Sequence, residues 1–364
     1  MSGAATRPDD RGACCLLADV GGTNVRFALA EPAAQAPLRM DTLRVFRVAD
    51  FPSLTDAAHA YLDAIRGSVS EPAAPTGRGA PHPARAVLAL AGRVDGDEVQ
   101  MTNHSWFISA ARLKHDLRLG SVKLVNDFAA VGMSLPLLTA ADVLAVGPAV
   151  KPIAGAKGRK TFCVLGPGTG LGVSALAVHD DIVLGLETEG GHTSFAATNE
   201  EEIGVLRQLM ARFGRVSVER LLCGSGLANL LQALCAIAGR NEAPFAPETI
   251  TARAQDGSDA QCVRAVELFC EMLGTVAGDY ALTYGAWDGV YLAGGLLEPL
   301  SPWIRRGRFR ERFNNKGRFA ASMAKVPVAL ITHPQPGLLG AAGFAVAAAG
   351  LPLLRSTDQA RKPA

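Results

Sequence analysis

Three polar clusters follow apolar runs in this chain, and each is placed for chemistry on a phosphate or a hydroxyl. Asp19 comes after the run Cys14 to Ala18 and just before Gly21-Gly22-Thr23-Asn24, and the apolar segment Val25 to Ala30 leads away. Adjacent glycines at a hairpin tip let backbone N–H groups approach an anion with no Cβ in the way. A carboxylate beside them could orient a hydrated metal ion on a phosphate. An ordinary Gly-Gly hairpin with a solvated aspartate competes with that reading. Asn126-Asp127 follows the run Val122 to Val125 and precedes an apolar helix from Ala129. A carboxylate beyond the carboxyl end of a strand, partly desolvated, suits a general base; a helix N-cap is the alternative. Glu189-Gly190-Gly191-His192 sets a carboxylate and an imidazole three residues apart, which suits a polyhydroxylated ligand. No second His or Cys near His192 has metal-ligand spacing.

A second glycine stretch repeats the layout of the first: Val164-Leu165-Gly166-Pro167-Gly168-Thr169-Gly170-Leu171-Gly172-Val173. Neither stretch is a Walker A loop, and neither fits G-x-G-x-x-G strictly. Two such hairpins far apart in one chain suggest two related halves facing a cleft. Gly294-Gly295 ends the strand-like Val290 to Ala293, where small residues would let an adenine or ribose lie against the backbone.

D-x-G-G-T-N-x-R from Asp19, N-D-F from Asn126, G-x-G-T-G-L-G from Gly166, E-G-G-H from Glu189 and A-G-G from Ala293 occur in this order. Together they resemble the bacterial glucokinases of the hexokinase–actin–Hsp70 superfamily, over about Leu17 to Gly343. The resemblance implies an α/β fold of two actin-like (ribonuclease H-like) lobes with a cleft between them that closes during turnover. Residues 1–137 plus 333–364 would form the small domain, with the first hairpin and the catalytic aspartate, and 138–332 the large one. It implies ATP-dependent phosphorylation of D-glucose at the 6-hydroxyl, giving glucose 6-phosphate and ADP, with Asp127 as general base. Sugar contacts carried over are Asn103, Asn126, Asp127, Glu189, His192 and Glu219, Asn103 from the run Thr102-Asn103-His104-Ser105-Trp106. ATP contacts are Asp19, Gly21, Gly22, Thr23, Asn24, Gly168, Thr169, Gly170, Gly294 and Gly295. Mg²⁺ would come with ATP and meet Asp19 through water, and a homodimer is implied. Ala91-Gly92-Arg93 departs from the family's A-G-P.

A kinase for fructose, mannose or an amino sugar would share both hairpins. A sugar-responsive transcription regulator needs a DNA-binding helix pair ahead of the first hairpin, and the residues before Asp19 lack a helical pattern. An actin- or Hsp70-like ATPase that acts without sugar has no use for Asn126-Asp127 with Glu189 and His192.

The elements that must position these residues can be read from pattern. The chain has 364 residues, 49% hydrophobic and 19% charged, enough for two domains that each bury a core. Its net charge of +2 argues against nucleic acid or an anionic membrane as partner. Seven cysteines make no C-x-x-C pair, and Cys163, Cys223, Cys235, Cys262 and Cys270 lie among apolar residues as buried free thiols would, which suggests a reducing, cytoplasmic setting and no structural zinc. Met1 to Gly12 lacks the apolar core of a signal peptide. Leu338 to Leu354 reads as a buried C-terminal helix, not a membrane span. Ser53 and Ser109 cap helices, Leu43 to Val48 alternates like an edge strand, and Asp259 to Gly285 is a long helix. Asn199 to Glu202 opens a helix with acids in its first turn, and Val326 to Ile331 is a last strand. Ser217 begins a short helix, and Gly224-Ser225-Gly226 breaks the chain before a helix from Leu227 to Ala238. Residues 1–13 read as a tail, 70–85 as a proline-rich surface insertion, and 138–160 as a connection between lobes.

Overall fold

The computed structural model describes residues 12–68, 82–101, 104–150, 153, 158–240 and 244–354. The expected tail and the proline-rich insertion fall almost wholly outside these residues. The chain divides into two compact units, one of Met1–Leu138, Pro152–Ala156 and Pro334–Ala364, the other of Thr139–Lys151 and Lys157–His333.

The first unit is built on β1 (Cys15–Val20), β2 (Asn24–Ala30), β3 (Leu38–Arg47), β4 (Arg85–Leu90) and β7 (Ser121–Asn126). The sheet order is β3-β2-β1-β4-β7, with β3 on an edge as its alternation implies. β1, β2 and β3 form an antiparallel meander, while β1, β4 and β7 run parallel. A ribbon of β5 (Glu98–Gln100) and β6 (Phe107–Ser109) and the helices α1 (Leu54–Ser68), α2 (Ala110–Asp116) and α3 (Asp127–Ser134) complete the run. Ser53 caps α1 by accepting the Asp56 N–H, and Ser109 caps α2 by accepting the Arg112 N–H.

Both faces of this sheet are covered, and the side chains of β1 and β4 alternate between two cores. Leu16, Ala18, Val20, Leu88 and Leu90 pack with Ala58, Tyr61 and Leu62 of α1. Leu17, Val87 and Ala89 pack with Leu338, Ala341, Ala342 and Ala345 of the C-terminal helix, Pro336–Ala348. Strands buried on both sides have no polar face, which is why they read as unbroken apolar runs. The C-terminal helix stops at Ala348, short of Leu354, and Gly350 beyond it takes φ +69°. It crosses α3 so closely that a Cβ at Gly340 would lie 1.5 Å from the Ala130 carbonyl oxygen.

The second unit carries β8 (Val143–Ala145), β9 (Arg159–Pro167), β10 (Leu171–His179), β11 (Ile182–Thr188), β12 (Gly289–Leu292) and β13 (Val328–Ile331). Their order is β11-β10-β9-β12-β13-β8, with β9, β12 and β13 parallel. The stretch expected only to connect lobes thus supplies a strand, β8. Around the sheet lie α4 (Glu200–Phe213), α5 (Gly224–Ile237), α6 (Pro247–Asp256), α7 (Ala260–Tyr284), α8 (Leu297–Arg306), α9 (Phe309–Asn314) and α10 (Ala320–Met323). Asp259 caps α7 through the Gln261 and Cys262 N–H groups, and Gly285 closes it in the left-handed region. The acids opening α4 are structural: Glu201 takes a bidentate bond from Arg264, and buried Glu202 pairs with buried Arg312. Thr198 and Thr275 also accept from that guanidinium. Such a pair is tolerated in a core where further hydrogen bonds, here from Thr198 and Thr275, offset the loss of water.

Two expectations are corrected here. Ser217 to Arg220 is a turn, not a helix: the Val218 and Glu219 N–H groups bond to the Thr193 and Gly191 carbonyls, and the Arg220 N–H turns back to Ser217. Gly224-Ser225-Gly226 forms the first turn of α5, with the Cys223 sulfur accepting the Gly226 N–H, so it opens the helix instead of preceding it. No helix among the described residues is long and apolar enough to cross a membrane.

Gly340→Ala is expected to destabilise the protein by about 2–3 kcal/mol, because the added methyl must push two buried helices apart. Urea unfolding checks this.

Candidate active site

In the first unit, the parallel strands β1, β4 and β7 end together, and the polar residues gather at those ends. The tip of the β1–β2 hairpin is closed by the Gly21 N–H bonding to the Asn24 carbonyl at 3.0 Å, and the Thr23 carbonyl accepts the Val48 N–H. Asp19 faces Arg26 across the hairpin at 3.8 Å. Burial pushes the Asp19 carboxyl up from the usual carboxylate range, and the Arg26 charge opposes this. Gly337, in the first turn of the C-terminal helix, lies beside Asp19; a Cβ there would be 3.1 Å from Oδ2. The N–H groups of a helix start favour negative charge at this point. No group of three or more His, Cys, Asp or Glu with metal-binding geometry occurs among the described residues. A lone partly desolvated carboxylate fits a Mg²⁺ ion that keeps its waters and takes its other ligands from phosphate.

Asn126 ends β7 and caps α3. Its Oδ1 accepts the Ala129 N–H at 3.0 Å, and its Nδ2 donates to the Gly92 carbonyl at 2.9 Å, tying the ends of β7 and β4 together. One amide hydrogen and one lone pair remain for a ligand. Gly92 takes φ +109°, so the turn at Ala91-Gly92-Arg93 is set by glycine without the family's proline. Asp127 is the first residue of α3, and its Oδ1 accepts the Phe128 N–H at 2.8 Å. Asn103 lies outside the described residues. His104 is structural: its ring meets Trp106 edge-on at 5.0 Å, and its Nδ1 accepts the Trp106 N–H.

In the second unit, the β9–β10 hairpin carries Gly168, Thr169 and Gly170 at its tip, closed by the Gly168 N–H on the Gly170 carbonyl at 2.8 Å. The first N–H of α5, from Gly224, reaches the Gly168 carbonyl at 2.9 Å. Gly294 follows β12 with φ +111°, and a Cβ on it would sit 2.4 Å from the Pro167 carbonyl. Gly295 faces open space. The hairpin and the Gly294-Gly295 turn are therefore neighbours, as a nucleotide's phosphates and its nucleoside require.

Beside that hairpin, three side chains converge. His192 Nε2 is 3.8 Å from Glu189 Oε2, and His192 Nδ1 is 4.0 Å from Glu219 Oε1. These separations exceed direct hydrogen bonds, and groups so spaced suit a ligand's hydroxyls inserted among them. Glu219 Oε2 accepts the Leu171 N–H at 2.8 Å. The loop backbone is held by Tyr280, whose hydroxyl donates to the Gly190 carbonyl at 2.6 Å, and by Arg215 on the His192 carbonyl. Burial pushes the Tyr280 hydroxyl up to about 12, so it stays a donor.

Four of these supports escape a sequence reading. Tyr280 sits in the buried stretch of α7 and reads as core. Leu171 and Arg215 act through, or upon, backbone groups. Gly337 belongs to an apolar run that signals only burial.

A family model described as Glucokinase matches residues 16–348. The chain is 46% identical to a glucokinase of Stenotrophomonas maltophilia and 47% to one of Xanthomonas euvesicatoria, each over 91% of this chain and 94% of the relative. A crystal structure of glucokinase from an Antarctic psychrotroph superposes with a TM-score of 0.79 at 32% identity, covering 91% of this chain and 98% of that one. The fold is the actin-like ATPase fold shared by such sugar kinases. With a family model matched over residues 16–348 and relatives 46–47% identical over 91% of its length, the chain belongs to the glucokinase family.

Proposed function

We propose that the chain phosphorylates D-glucose at its 6-hydroxyl with ATP, and that Asp127 is the general base. Asp127 takes the proton of the 6-hydroxyl as that oxygen attacks the γ-phosphorus and the bond to the ADP oxygen breaks. Asn103, Asn126, Glu189, His192 and Glu219 hold the sugar hydroxyls and orient the attacking oxygen. The N–H groups around Gly21, Gly22, Thr23, Asn24, Gly168, Thr169 and Gly170 receive the phosphates, and Gly294-Gly295 the adenosine. Mg²⁺ carried with ATP would neutralise charge on the phosphates, with Asp19 holding it through water. A loose phosphoryl-transfer transition state asks mainly for such positioning and charge stabilisation. We place the enzyme in the cytoplasm as a homodimer; its cysteines, all free thiols, suit a reducing compartment.

The observation that carries this reading is the Glu189–His192–Glu219 cluster seated on a glycine hairpin, since a sugar-independent ATPase has no need of a site for a ligand's hydroxyls there. A coupled assay with Mg·ATP and glucose, fructose, mannose, N-acetylglucosamine or no sugar tests it. Turnover confined to glucose is expected; ATP hydrolysis indifferent to sugar overturns it. Asp127→Asn keeps an oxygen for the Phe128 N–H and should fold. It is expected to lower kcat by about 10²–10⁴ while glucose still binds, and near-normal turnover would remove the base assignment.

Asp19 carries an opposite pair of effects. Its raised carboxyl means the folded chain binds more protons here than the unfolded chain, so its contribution to stability falls as pH rises through that range. Asp19→Asn should therefore raise the ligand-free Tm near neutral pH. The gain should vanish below about pH 4, where the unfolded carboxyl is also protonated. The same variant should lose Mg·ATP-dependent turnover and the Tm rise that Mg·ATP gives the wild type.

A further inference from the structure

We infer that Glu219 ties the sugar site to the nucleotide hairpin, and that Gly170, on that hairpin, is consequently a determinant of sugar affinity. The inference rests on Glu219 being a sugar contact, as proposed above. Its two carboxylate oxygens face different ways. Oε1 points to His192, while Oε2 accepts the N–H of Leu171, the residue that follows the hairpin tip. The space for this bond exists because residue 170 has no side chain: a Cβ there would lie 2.5 Å from Oε2 and 3.3 Å from the carboxyl carbon. The same hairpin residue also supports the other sugar loop. A Cβ at Gly191 would lie 2.3 Å from the Leu171 carbonyl, and the Gly191 carbonyl in turn accepts the Glu219 N–H at 2.9 Å. Leu171 therefore braces the Glu219 carboxylate with its N–H and the Glu189–His192 loop with its carbonyl. A shift of the hairpin tip must move the carboxylate, and a hydroxyl bound to the carboxylate must restrain the tip.

Gly168 supplies the matched comparison. It lies on the same tip, yet a Cβ on it meets nothing within 4 Å. Calorimetric titration of glucose, without nucleotide, into Gly170→Ala, Gly168→Ala, Glu219→Ala and the double variant Gly170→Ala/Glu219→Ala tests the coupling. Circular dichroism melts confirm that each is folded. Gly170→Ala is expected to raise the glucose Kd about tenfold or more, and Gly168→Ala to leave it within about twofold of wild type. On the Glu219→Ala background, Gly170→Ala should add no further loss, since the atoms it would strike are gone. A glucose Kd unchanged in Gly170→Ala, or equal losses at Gly168 and Gly170, or full additivity in the double variant, overturns the coupling while Glu219 keeps its sugar role. An unchanged Kd in Glu219→Ala withdraws the sugar role as well.

Discussion

The central strands of both sheets are covered on two faces, and that constraint leaves the carboxyl ends of the parallel strands as the place where backbone and charge can meet a ligand. In the first unit, adjacent residues of β1 alternate between two apolar cores with no polar face between them. In the second, Phe162 and Val164 are as buried as Cys163 and Leu165. A charge on either face of such strands would be desolvated without a partner. Asp19, Asn126 and Asp127 in one unit, and Gly168 and Gly294 in the other, stand at or beside strand ends accordingly.

The strand ends are made precise by helices that start there. Asn126 caps α3 and bonds to the turn after β4, so Asp127 is held by two strands and a helix. The C-terminal helix begins beside Asp19 and then presses on α3 at Gly340. Close contacts thus run from the last helix to Asp19 and to α3, which carries Asp127. A well-packed interior transmits such displacements, so a single methyl at that crossing is felt at the site.

In the second unit, the equivalent order comes from hydrogen bonds among loops. The turn at Ser217 to Arg220, the Glu189–His192 loop and the β9–β10 hairpin share bonds at Gly191, Leu171 and Glu219. Glucose phosphorylation by ATP needs the acceptor hydroxyl and the phosphates aligned at one moment. A loop network in which the groups proposed to face the sugar and those proposed to face the phosphates share hydrogen bonds is suited to that demand.

The hairpins, the strand-end carboxylates and the buried helices were legible because each is a local pattern: an apolar run, a glycine turn, a cap with its acceptor three residues before the donor. The family motifs were legible for the same reason, since each spans only a few residues in a row. The turn at Ser217 was misread because its serine resembles a helix start, while the groups that claim its N–H bonds, Thr193 and Gly191, lie far back in the chain. The early start of α5 was missed because two glycines look like a break, and the capping Cys223 sulfur gives no strong sequence signal. Sequence by itself determined which residues could do chemistry and the strand or turn that carries each, because backbone preference and side-chain periodicity are local. Only the tertiary structure decided that Glu219 bonds to Leu171, 48 residues away, that Gly337 faces Asp19, and that Asn126 is shared with Gly92. Those contacts depend on where separate segments pack, and no local spacing encodes a distance between them.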